Sequence, residues 1–248
     1  MKKKIKMKMN RIVVFLIILF CFNSCNSQTK KRGSWENKNF ETYLTNKNIT
    51  FKKQENGYLY TESNESLYDQ YYSDFLDDEL KVKLEKNPYL KINKVYVHYR
   101  TPTSVEFSIY SDRGSFCLST FDLDIDGKIL SFPENGIVKV LEPIIVEDFG
   151  DFEITGNIIK TRKRQISPYN ETYYYVNGTV NNDTIHYTER YIGKEKKFEK
   201  KTLAKSRKED FKEIYQPGLK AVQYKVGKYL VSYEVTGEFQ MEYAKQTF

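Results

Sequence analysis

From residue 92 onward the chain is cut into short runs rich in β-branched and aromatic residues, each closed by a turn signal. The runs cover residues 92–100, 104–110, 115–125, 128–132, 137–147, 152–155, 158–164, 172–180, 184–191, 222–226 and 229–235. Between them stand Asp112-Arg113-Gly114, Asp126-Gly127, Asn135-Gly136, Gly156-Asn157, Asn181-Asn182-Asp183 and Gly227-Lys228. Such pairs supply the positive φ angles of tight hairpins. A parallel sheet needs a helix or a long crossover after each strand, and that alternation is missing. The fold class expected is therefore mainly β: an antiparallel meander forming a barrel or a sandwich. One stretch departs from the pattern. Residues 194–208 hold eight bases against two acids and read as a long hairpin loop or as the lead-in to a short helix around 209–215, which Pro217-Gly218 would end.

Upstream, residues 37–90 read as a hairpin followed by one amphipathic helix, and with the β body, residues 91–248, they make one domain. The hairpin turns at Asn56-Gly57. Tyr68, Tyr72, Leu76, Leu80 and Leu84 recur every four residues, widened by Tyr71 and Phe75. Ser66 with Asp69 is a capping start, and Asn87-Pro88 supplies a stop. Asp74, Asp77, Asp78 and Glu79 fall between the apolar positions and read as a solvated face.

The first eleven residues carry six bases and no acid, and an unbroken apolar run follows from Ile12 to Phe22. That describes a secretory leader of residues 1–24, with an apolar run too short for the roughly 20 residues of a spanning helix. Phe22-Asn23-Ser24-Cys25 resembles the lipobox of bacterial lipoproteins, with Phe22 in place of the commoner Leu. The resemblance covers residues 1–25 only. It implies cleavage before Cys25, lipidation of that cysteine, a polar tether over 25–36 and attachment to a membrane through lipid. Asn26 stands where an Asp would mark inner-membrane retention, so the resemblance points to the outer membrane, on its periplasmic face.

Removing the leader changes the charge argument. Six of the 40 bases leave with it, so 34 bases face 33 acids and the balance falls to +1. A nucleic-acid binder is expected to keep a basic surface after processing, so none is expected as a partner. Cys21 leaves too and Cys25 carries lipid, so Cys117 is left without an internal disulfide partner and reads as a buried, inert thiol.

The sharpest local motif is Asp122-Leu123-Asp124-Ile125-Asp126-Gly127. Asp122, Asp124 and Asp126 match the first half of a calcium loop, but position 12 is Pro133 where a bidentate Glu belongs. A strand with alternating apolar residues turning at Asp126-Gly127 explains more of it. His98 and His186 each stand alone in a strand, and no nucleophile elbow or zinc signature accompanies them. The basic run 160–164 reads as solvated, balanced by acids elsewhere, and consecutive Tyr173, Tyr174 and Tyr175 read as serving both faces of a sheet.

No cofactor, catalytic residue or metal centre is implied. The function expected first is a membrane-anchored, non-catalytic envelope lipoprotein whose β body is structural or binds an envelope protein. The alternative rests on residues 152–191, whose successive hairpins resemble lipocalin-like barrels without their signature motif. That resemblance implies a barrel binding a small apolar ligand or a glycan.

Overall fold

Two compact units make up the described chain, and their boundary falls inside a helix, between Phe75 and Leu76. The structure, a computed structural model, describes residues 36–123, 128–168, 170–193, 206–225 and 230–241. The leader, Cys25, the tether through residue 35, Asp124, Asp126, the Lys-rich residues 194–205 and the Gly227-Lys228 turn lie outside the described residues.

The first unit contains α1 (Lys38–Asn46), a short hairpin of β1 (Lys52–Lys53) and β2 (Leu59–Tyr60), and the start of α2 (Leu67–Glu85). Helix α1 adds to the single helix read from the sequence. It starts at Asn37, whose side chain accepts a hydrogen bond from the Phe40 amide at 3.1 Å. It buries Phe40 and Leu44, one turn apart, in a core with Leu59, Leu67 and Phe75. Ser66 caps α2 as expected, accepting from the Asp69 amide. The four-residue stripe does not stay on one face. At 3.6 residues per turn each four-residue step advances about 40°, so the direction swings by roughly 160° between Tyr68 and Leu84. Leu76 is accordingly 45% exposed. Leu67 and Phe75 join the core of the first unit, whereas Leu80 and Leu84 pack within the second.

The second unit is built on a closed eight-stranded antiparallel barrel. In chain order its strands are β3 (Val95–Thr101), β4 (Ser104–Tyr110), β5 (Ser115–Asp122), β7 (Asp148–Thr155), β8 (Ile158–Ser167), β9 (Asn170–Asn181), β10 (Thr184–Gly193) and β11 (Arg207–Tyr215). Each pairs with the next, and β11 closes on β3. Between β5 and β7 the chain leaves the barrel as β6 (Ile137–Val146), which joins β13 (Val231–Gln240) and β12 (Leu219–Lys225) in a separate three-stranded sheet. That sheet covers the outward side of β3, β4 and β5. Val97, Val105, Phe107, Ile109 and Cys117 share one core with Val138, Val146, Tyr233, Val235 and Phe239. The expected β class therefore holds, as a barrel with an added sheet layer.

Tight turns carry the meander. Asn135 and Gly136 have φ of 53° and 79°, and Asn182 and Asp183 have 44° and 66°, the left-handed pairs of short hairpins. Two expectations are corrected. Residues 209–215 form most of β11, not a helix, because Phe211, Glu213 and Tyr215 alternate and their side closes the barrel. Residues 128–132 make one isolated bridge, Leu130 to Val140, rather than a strand.

Candidate functional site

The inward residues of the barrel climb in layers. At one end Tyr96, Phe152, Ile154, Ile159, Val180 and Ile185 pack with Leu84 and Leu90 and fill the lumen. One layer up come Tyr110, Phe116, Thr161, Tyr187 and Glu213. Above them the lumen opens into a cavity of about 270 Å³. Its walls are Leu118, Phe149, Val176, Tyr174 and Phe211, with Glu106, Lys163 and Arg190 also lining it.

Two β-bulges set which side chains reach the cavity. On β7, Gly150 pairs with Phe116 and Asp148 with Cys117, leaving Phe149 as the extra residue. Phe149 is thereby turned into the lumen. Gly150 makes the close approach possible, since a Cβ there would stand 2.0 Å from the Arg162 carbonyl oxygen. On β10, Thr188 is skipped between Tyr187, which pairs with Gly178, and Glu189, which pairs with Asn177. Past that bulge the phase reverses. Arg190 lines the cavity, while Tyr191 stacks on Tyr175 with centroids 4.7 Å apart. The run of three tyrosines does serve both faces: Tyr174 lines the cavity, and Tyr173 and Tyr175 cluster with Tyr191.

At the bottom of the cavity lies a buried acid. Glu213 is 2% exposed. Its Oε1 accepts from the Ser108 hydroxyl at 2.9 Å and its Oε2 from the Tyr110 hydroxyl at 2.6 Å. Tyr110 also meets the Tyr187 hydroxyl at 2.6 Å, and Thr161 bonds Tyr187. Burial pushes the Glu213 carboxyl up to about 7; the Tyr110 and Ser108 hydrogen bonds oppose that, and the charge of Glu106 adds to it. Burial also holds Tyr110 and Tyr187 well above the ordinary phenol value, so both remain neutral donors.

The rim is charged but internally matched. Arg100 reaches Glu106 at 3.1 Å and Arg190 reaches Glu209 at 3.2 Å. The Lys163 ammonium sits 3.7 Å over the Phe149 ring. Arg162, which also borders the cavity, pairs with Asp151, and Lys160 pairs with Glu153, so much of the basic run 160–164 is matched by cross-strand acids.

Of the other residues singled out in the sequence, His98 packs its ring on Phe211 of the cavity wall with centroids 4.9 Å apart, and the rest lie elsewhere. Cys117 is fully buried, and burial pushes its thiol up to about 12. His98 Nδ1 meets the Lys212 carbonyl at 2.9 Å, and His186 Nε2 meets Asp210 at 2.7 Å. Asp122 ends β5, exposed. No group of three His, Cys, Asp or Glu side chains is placed to hold a metal among the described residues.

Sequence reasoning missed Glu213 because its segment was read as helical. The available signal was a single acid between Phe211 and Tyr215 at period two, an acid on an otherwise apolar face. The chain matches no protein-family model, no curated protein and no solved structure.

Proposed function

We propose that the β body is a binding barrel that takes a small molecule into its lumen, and that lipid on Cys25 holds it at an envelope membrane. One observation carries the binding role: the barrel is packed solid at one end and leaves a cavity of about 270 Å³ toward the other. Ligand pockets usually run from about 300 to 1,000 Å³, so this one suits a compact molecule. Aromatic and aliphatic walls over a hydrogen-bonded acid offer apolar contact and one polar anchor. This favours the ligand-binding alternative over a purely structural role.

The anchor rests on the lipobox resemblance around Cys25 and fits what the barrel's exterior presents. A spanning barrel needs an outward apolar band. Here Arg164 on β8 pairs with Glu171 on β9, and His186 on β10 with Asp210 on β11, on the outward face. Among the described residues, no helix is long and apolar enough to cross a membrane. Lipid chains are then the means of attachment, and Cys25→Ser should move the protein from the membrane to the aqueous fraction.

Native mass spectrometry of the chain beginning at Asn26, purified from its source without detergent, tests the lumen. A reproducible adduct that leaves on gentle activation is expected, and Leu118→Trp, which fills the cavity from β5, should abolish it. An adduct that persists in Leu118→Trp, or a clean apo mass in the unsubstituted chain, counts against a lumen site.

A further inference from the structure

Several acids of the barrel wall are matched by bases, while half-buried Asp148 bonds the Ser115 hydroxyl. Arg162 pairs with Asp151, Arg164 Nε lies 2.5 Å from Glu171, Arg190 Nε 3.2 Å from Glu209, and Arg100 3.1 Å from Glu106. Glu213 breaks the pattern. It borders the cavity, yet the charge that acts on it is that of Glu106, and no described Lys, Arg or His lies within ion-pair distance. Hydroxyl donors surround it instead. Ser108 and Tyr110 each donate to a different oxygen, and Tyr187 and Thr161 extend the chain behind Tyr110. Both oxygens are therefore used as acceptors, and these two hydrogen bonds favour the carboxylate against the larger opposing effect of burial.

The carboxylate has no counter-charge among the described residues, and the cavity it borders is also lined by the rings of Phe116 and Phe211. Ring faces are negative and attract cations. The bases that border the cavity are engaged elsewhere, Arg162 with Asp151, Arg190 with Glu209 and Lys163 over Phe149. We propose, taking the lumen as the binding site, that its ligand carries a cationic nitrogen that seats on Glu213 while its hydrocarbon part packs on Phe116, Tyr174 and Phe211.

Binding of such a ligand should depend on pH. The titratable groups around Glu213 are Glu106 and Tyr110 on β4, Tyr96 and His98 on β3, Tyr187 and Arg190 on β10, Lys163 on β8 and Tyr174 on β9. Tyr96, Tyr110 and Tyr187 are all pushed above the ordinary phenol value by burial and stay neutral. Glu213, pushed up to about 7, gains its charge across the neutral range. Its ionised fraction rises roughly tenfold from pH 6 to pH 8, while an alkylamine with a pKa of about 10 stays cationic.

Calorimetric titration of the chain beginning at Asn26 with 2-phenylethylamine, 2-phenylethanol and 3-phenylpropionate tests the charge class with three probes of similar size. At pH 8 the amine should bind at least tenfold more tightly than the alcohol, and the carboxylate most weakly. That preference should shrink several-fold at pH 6. Glu213→Gln should remove it while keeping the alcohol's affinity, and the pH comparison on the unsubstituted chain stands even where that variant fails to fold. Equal affinity of amine and alcohol at pH 8 overturns the cationic ligand and leaves the binding barrel standing. Absence of binding by all three overturns both.

Discussion

Glu213→Gln should change how the stability of the barrel depends on pH, and the size follows from the carboxyl's surroundings. Glu213 is 2% exposed and titrates near 7 in the fold, against an ordinary value of 4.5. Below about pH 4.5 the carboxyl is protonated both folded and unfolded, and its burial adds no pH-dependent cost. As pH rises through the window between the two values, the unfolded chain releases its proton while the folded chain retains it, so stability is lost. Above about 7 both forms are ionised and the loss is complete. At about 1.4 kcal/mol per pH unit, the loss is roughly 3 kcal/mol. Glutamine cannot ionise, and its carbonyl still accepts from one of Ser108 or Tyr110. Its amide leaves the other hydroxyl to rotate, at about 1 kcal/mol. Glu213→Gln is therefore expected to be slightly weaker than the parent at pH 4.5 and stronger by roughly 2 kcal/mol at pH 8. Urea unfolding followed by circular dichroism at both pH values measures this, and subtracting the two chains cancels other titrating groups. Parallel pH–stability curves would refute the raised carboxyl.

Two further substitutions probe the frame that holds the cavity. Gly178→Ala places a Cβ 2.7 Å from the His186 carbonyl oxygen and 2.9 Å from the Tyr187 ring, so it should cost about 1–3 kcal/mol and shift the Tyr187–Tyr110–Glu213 network. A lowered melting temperature with altered tyrosine near-ultraviolet dichroism is the expected readout, and an unchanged melt would show that β9 and β10 yield at that point. Phe107→Ala removes a fully buried ring packed edge-on against Phe121 and Phe239 at 5.6 and 5.4 Å. It should cost about 3–5 kcal/mol in urea unfolding, and a loss under 1 kcal/mol would mean that the three-stranded sheet is not a working part of the core.

How much of this was legible in sequence follows from what kind of signal each feature carries. Turn pairs such as Asn135-Gly136 and Asn182-Asp183 announce themselves, because few residues tolerate positive φ. Most strand runs were found because period-two alternation needs no knowledge of partners. The course of β6 was not, since nothing local tells a strand that it will leave the barrel for β13; its long-range pairing of Val235 with Ile144 decides that. The α2 stripe misled for a reason of phase. A strict four-residue repeat winds around a helix, and here its two halves pack in different units.

The cavity was hidden by the same alternation that revealed the strands. A reader applying period two through β10 puts Tyr187, Glu189 and Tyr191 on one face, with Arg190 on the other. The skipped Thr188 exchanges them: Arg190 pairs with Val176 and lines the cavity, while Glu189 accepts a hydrogen bond from Asn177 at 3.0 Å. The extra Phe149 likewise gives the lumen a ring that alternation from Phe152 would place outside. Each bulge leaves one residue unpaired, increases local twist and re-aims the side chains beside it. Both occur where the lumen is open, and the deep layer from Tyr96 to Ile185 keeps regular pairing. The bulges aim an aromatic ring and a base at the cavity, above the layer in which Glu213 is buried. Thr188 and Phe149, neither of which touches Glu213 by hydrogen bond, are therefore part of what shapes the cavity.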